Sequence, residues 1–105
     1  MSIPTDNYAQ DTIATLDATV TGRVQGVGFR MFVLAEGRRL GLAGTVQNRR
    51  DGSVHVVAHG ARPTLEILLA ALRRGPLGAR VEHVDVVWAQ RAIADRPPAR
   101  FEVLF

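Results

Sequence analysis

The sequence predicts an α+β sandwich, with two helices on one face of an antiparallel sheet. Three observations carry this prediction. Apolar and polar residues alternate from Leu16 to Val20, the period of a half-buried strand. Leu65, Leu68, Leu69 and Leu72 recur at the spacing of one helical face. The pair Asp51-Gly52 lies between two short β-rich runs, the pattern of a hairpin.

Taken in order, residues 1–14 show no period and are expected to be a flexible N-terminal arm. Residues 15–105 are expected to form a single domain. A strand begins there, with Leu16, Ala18 and Val20 on one face and Asp17, Thr19 and Thr21 on the other. The glycine-rich stretch GRVQGVGFR follows at 22–30. From Phe29 the period lengthens: Phe29, Phe32, Val33 and Leu40 fit one helical stripe, and Gly41 is a stop. GTVQN then reads as a strand, RRDG as a turn and SVHVVAH as the returning strand. RPTLEILLAALRRG is the second helix: Pro63 suits its first turn, Arg73 and Arg74 suit the negative end of its dipole, and Gly75 closes it. ARVEHVDVVWAQ is a fourth strand, and residues 91–99, with Pro97-Pro98, are a connection. RFEVLF closes the chain as a short extra strand, with Phe101, Val103 and Phe105 on one face. The order βαββαβ is that of the ferredoxin-like sandwich.

Composition excludes several classes. A chain of 105 residues suits one domain and buries about two thirds of its unfolded surface. Without cysteine there are no disulfides, thiolate zinc sites or thiol nucleophiles, and a cytoplasmic setting is expected. The longest apolar run, ILLAAL from Ile67, is too short to span a bilayer, so no membrane partner is expected. All thirteen basic residues are arginine, but they come in pairs rather than a stripe, and the net charge is only +3. The hairpin strand SVHVVAH carries no aromatic for base stacking, so no nucleic-acid partner is expected. His55 and His59 would share one strand face about 13 Å apart, too far for one ion. They read as surface or sheet-packing histidines.

The stretch at 22–30 carries the chemistry. Gly26 and Gly28 permit positive φ and close approach of a ligand. A helix starting at Phe29 adds unpaired N–H groups and the positive end of a dipole, and Arg30 adds a guanidinium fork. Such a nest suits an anion of phosphate size. It is not a Walker loop, because no Gly-Lys-Ser/Thr follows, and it lacks the dinucleotide spacing GxGxxG. The plainer alternative is an ordinary glycine turn flanked by solvated arginines.

Two motifs match a known family. GRVQGVGFR resembles the first signature of the acylphosphatases, G-x-V-Q-G-V-x-F-R, at every fixed position. GTVQNRRDGSVHVVAHG, residues 44–60, resembles the second, keeping Gly44, Val46, Asn48, Gly52, Val54 and Gly60. Thr45 stands where the family usually has an aromatic. The resemblance covers about residues 16–105. It implies hydrolysis of the carboxyl-phosphate anhydride of a small acyl phosphate to carboxylate and inorganic phosphate, by direct attack of water. It implies Arg30 as the phosphate-binding residue and Asn48 as the residue that orients the water. The backbone of Gln25, Gly26, Val27, Gly28, Phe29 and Arg30 would form the phosphate cradle, and no metal or organic cofactor is implied. The Gln25 side chain is expected to shape the loop, and Arg23 to lie solvated at its edge. A monomer is expected. The rival reading is a non-catalytic module that binds phosphate, carbamoyl phosphate or a protein.

Overall fold

The computed structural model describes residues 12–92 and 100–105. Seven elements follow one another: β1 (Thr12–Arg23), α1 (Phe29–Arg39), β2 (Ala43–Asn48), β3 (Val54–Gly60), α2 (Arg62–Arg74), β4 (Arg80–Ala92) and β5 (Phe101–Leu104). The strands form one sheet in the order β4-β1-β3-β2-β5. The three strand pairs of a ferredoxin-like sandwich, β4–β1, β1–β3 and β3–β2, are thus present, and all are antiparallel. No helix among the described residues is long and apolar enough to cross a membrane.

Period-2 patterning fixes which face is covered. Leu16, Ala18 and Val20 of β1, Val54, Val56 and Ala58 of β3, and Val46 of β2 are buried under the helices. The leucine stripe of α2, Leu65, Leu68, Leu69 and Leu72, meets this layer, as do Phe29 and Val33 of α1. Trp88 lies opposite Leu16 across the β1–β4 ladder and packs partly buried against the core. Arg62 covers its ring at 3.6 Å. The other face of the sheet is polar and pairs locally. His55 Nε2 lies 2.9 Å from Asp17 Oδ1, His59 Nδ1 lies 2.9 Å from Thr15 Oγ1, and His83 Nε2 lies 2.7 Å from Asp85 Oδ1. The histidines therefore belong to the open face of the sheet, where each meets a neighbour's side chain.

Three readings of the sequence change. The sheet is mixed rather than antiparallel, because β5 pairs with β2 in parallel, Gly44 opposite Phe101 and Gln47 opposite Leu104. Strand β1 starts at Thr12, so Ile13 and Ala14, assigned to the arm, are paired with β4, and Ala14 is buried. The remainder of the arm, residues 1–11, lies outside the described residues, as do residues 93–99 of the expected connection. Phe105 does not share a buried face with Phe101: it follows the end of β5 and is 97% exposed, whereas Phe101 is fully buried.

Phe101 is seated by a glycine that periodicity did not single out. Gly37 lies on the buried side of α1, and a Cβ there would stand 2.5 Å from the Phe101 ring. The missing side chain lets β5 dock against the helix. Helix α1 then ends in a Schellman motif. The Leu42 N–H donates to Gly37 O at 2.9 Å and the Gly41 N–H to Arg38 O at 3.0 Å, with Gly41 at φ 70°. Nothing lies within 4 Å of a Cβ added to Gly41, so its replacement costs conformation alone. Gly41→Ala is expected to lower stability by about 1–2 kcal/mol. Thermal or urea unfolding would show it, with hydrolytic activity unchanged.

Candidate active site

The site sits where β1 hands over to α1. Strand β1 ends at Arg23, Val24 turns inward and is buried, and the chain reaches α1 through residues 25–28. Gly26 at φ 74° and Gly28 at φ 76° make that turn. A Cβ at either would meet nothing within 4 Å, so glycine is required by the left-handed backbone rather than by crowding. Gly28 is the N-cap of α1 and offers no capping side chain, and the first turn holds no acid. The first intrahelical bond is Phe32 N–H to Gly28 O at 3.0 Å. The N–H groups of Phe29, Arg30 and Met31 thus precede any intrahelical acceptor, at the positive end of the helix dipole.

Beside this helix start lies a cleft of about 100 Å³, lined by Val24, Gly26, Gly28, Phe29, Arg30, Met31 and Asn48. The two residues singled out from different motifs, Arg30 and Asn48, therefore share one small cavity. Asn48 is the last residue of β2. Its Oδ1 is buried and has no hydrogen-bond partner among the described residues. An unpaired buried acceptor costs about 1–3 kcal/mol of desolvation and is rare in native structures. Arg30 is half-buried and forms no salt bridge among the described residues. A wider depression of about 380 Å³ lies between Arg73 and residues 81–84, and none of the residues above lines it.

Of the expected cradle, Gln25 and Val27 do not line the cleft. Val27 packs against the core. The Gln25 side chain instead crosses to the β2–β3 turn, where Nε2 donates to Arg49 O at 2.7 Å and to Ser53 O at 2.8 Å. Both amide protons are used, and the glycine loop is clamped to the turn that follows Asn48. That turn is itself closed by Arg49 N–H to Ser53 O at 2.9 Å. Asp51 completes it, accepting from the Ser53 hydroxyl at 2.6 Å and the Ser53 N–H at 2.9 Å. These two bonds, the hydroxyl's first, hold the Asp51 carboxyl below the usual carboxylate range. Arg23 is exposed at the loop's edge, as expected. Thr45 lies opposite Val57 and Glu102 in the sheet and does not line the cleft.

Periodicity missed two lining residues. Val24 follows the β1 run after a register shift between Thr21 and Gly22, which breaks the alternation that would have placed it inside. Met31 is 62% exposed and reads as an ordinary helix-surface residue. Its position in the first turn of α1 was the only available signal.

A ferredoxin-like sandwich whose first helix opens uncapped onto a guanidinium-lined cleft is an anion-handling domain of phosphate size. Comparison with known proteins narrows this class. The acylphosphatase family model matches residues 16–103. An acylphosphatase of Salinibacter ruber is 51% identical over 79 residues, covering 75% of this chain and 83% of that one. An acylphosphatase of Thermus thermophilus is 49% identical over 77 residues, covering 73% and 88%. The crystal structure of acylphosphatase from Bacillus subtilis superposes with a TM-score of 0.81 at 35% identity, covering 88% of this chain and 99% of that one. The chain belongs to the acylphosphatase family, and it is a hydrolase of acyl phosphates.

Proposed function

We propose that Arg30 and the N–H groups at the start of α1 hold the phosphoryl group, and that Asn48 aligns the water that attacks it. The observation that carries this reading is the Asn48 Oδ1, buried without a partner in the same cleft as Arg30. An acceptor left bare at the end of a strand is suited to take an O–H from a bound water. Arg30 supplies positive charge and N–H donors to the non-bridging oxygens, where charge must be stabilised in phosphoryl transfer.

The step follows from those positions. The water oxygen forms a bond to phosphorus, and the bond from phosphorus to the acyl oxygen breaks. The carboxylate leaves with the electron pair. It is a weak base and needs no general acid. Asparagine is not a base, so the proton of the water passes to a phosphoryl oxygen of the substrate. No histidine is invoked: His55, His59 and His83 have partners on the open face of the sheet. The substrate class is a small acyl phosphate, and inorganic phosphate is a product. We further read the chain as cytoplasmic, on its cysteine-free composition, as taking no nucleic acid, on a hairpin strand without an aromatic for base stacking, and as a monomer.

Hydrolysis of benzoyl phosphate in ¹⁸O-labelled water tests the direction of attack. Label is expected in phosphate and not in benzoate, at a rate that a chelator does not change. Label in benzoate would mean attack at the carbonyl carbon, and Asn48 would need another role.

A further inference from the structure

The cleft has room for a phosphoryl group and little else. Its volume is about 100 Å³, against roughly 300–1,000 Å³ for sites that enclose a drug-sized ligand. At about 30 Å³ for each water of the liquid, roughly three waters would fill it. An acyl group larger than a few atoms, joined to that phosphoryl, must therefore stand at the mouth. The side chains of the cleft wall divide by task. Val24 and Phe29 are each 1% exposed and belong to the core. Arg30 and Asn48 face the phosphoryl group and the water. Gly26 and Gly28 offer no side chain. Met31 is left, 62% exposed and outside the core cluster.

A single exposed apolar residue is ordinary on a protein surface. Met31 is set apart by its place. Met31, Ile67, Leu77, Val87, Leu104 and Phe105 are the large apolar residues exposed among the described ones, and of these Met31 lines the cleft. It is also the third residue of α1, counted from the N-cap Gly28. A glutamate at that position would complement the dipole and reach back to the N-cap N–H. It would also repel a phosphoryl group and occupy a donor. The thioether is uncharged and only a weak acceptor, so it leaves the donors of the helix start to the substrate.

We infer that Met31 is the contact for the acyl group, and that it makes the enzyme favour bulky apolar acyl phosphates, aromatic ones above all, over acetyl phosphate. The inference rests on the phosphoryl group being held by Arg30 and the helix start, as proposed above. An unbranched, polarizable thioether adapts to acyl groups of differing shape and makes favourable contacts with aromatic rings. A benzoyl ring emerging from the cleft covers the exposed part of Met31, and both lose apolar surface to water. An acetyl group has one methyl to cover and gains less.

The test uses the whole chain with Met31→Ala, Met31→Leu and Met31→Gln, beside Arg30→Ala. All three replacements of Met31 are good helix formers, so α1 is preserved and Tm should not move. Two quantities are read: the ratio of kcat/KM on benzoyl phosphate to that on acetyl phosphate, and the inhibition constant of inorganic phosphate. Comparison of the ratio with wild type cancels the intrinsic reactivity of the two anhydrides. Met31→Ala is expected to lower the ratio roughly two- to tenfold, the span of sulfur–aromatic contacts. Met31→Gln, of similar length but polar, should lower it as well, and Met31→Leu should keep most of it. Phosphate carries no acyl group, so its inhibition constant should stay at the wild-type value in all three. A ratio within twofold of wild type in Met31→Ala would overturn the inference. So would a ratio kept by glutamine, or an equal loss on both substrates with weaker phosphate inhibition, which would place Met31 at the phosphoryl group instead. Wild-type activity and phosphate inhibition in Arg30→Ala would sink the underlying role of Arg30, and the two failures are read from separate variants.

Discussion

Arg30→Ala is expected to lower kcat on benzoyl phosphate by about 10²–10³, the cost of removing one donor to transition-state charge. The inhibition constant of inorganic phosphate should rise in the same variant. Both effects have one origin. Arg30 is the guanidinium that lines the cleft, and the N–H groups of the helix start are the other donors there. Alanine leaves the backbone donors in place, so residual turnover and weak phosphate binding should survive. A structural role would give a different result. Arg30 is half-buried and forms no salt bridge among the described residues, so its loss should scarcely move Tm. Full activity in the folded variant would rule out the proposed phosphate contact.

Asn48→Ala is expected to separate binding from turnover. Without Oδ1 the attacking water loses its alignment, and misplacement of a reacting group costs about 10² in rate. Phosphate inhibition should remain close to wild type, because the Arg30 side chain and the helix start are intact. Stability should not fall. Oδ1 is buried without a partner among the described residues, and removing such an acceptor relieves a penalty of about 1–3 kcal/mol. A gain of about 1 kcal/mol in urea unfolding alongside the loss of kcat would mark Asn48 as a residue kept for chemistry at the expense of the fold. Lower stability with unchanged kcat would make it a turn residue only.

Much of this was legible in the chain because it is periodic. The β1 alternation and the α2 leucine stripe report directly on which face is buried, and Asp51-Gly52 reports on a local turn. Arg30 and Asn48 were found through two motifs, each tied to an element boundary. Other features depend on contacts between distant segments. The direction of β5 is decided by how a four-residue strand returns to β2, and no pattern within those four residues encodes it. Alternation placed Phe105 beside Phe101, but alternation applies only while a strand lasts, and β5 ends at Leu104. Gly37 reads as a weak point in a helix until the Phe101 ring is seen against it. The Gln25 side chain was expected to shape its loop, yet its acceptors lie 24 and 28 residues away in sequence and were not nameable.

The two hydrogen bonds of Gln25 also decide when the ordering entropy of the site is spent. They join the glycine loop to the turn after Asn48, so Arg30's loop and Asn48's strand end are fixed relative to each other by folding. A substrate then meets donors and acceptor already in register, and little of its binding energy goes into immobilising the protein. What remains is available for interactions that strengthen as charge shifts at phosphorus. A small ligand brings few contacts, so a site already ordered by folding leaves more of their energy for the transition state.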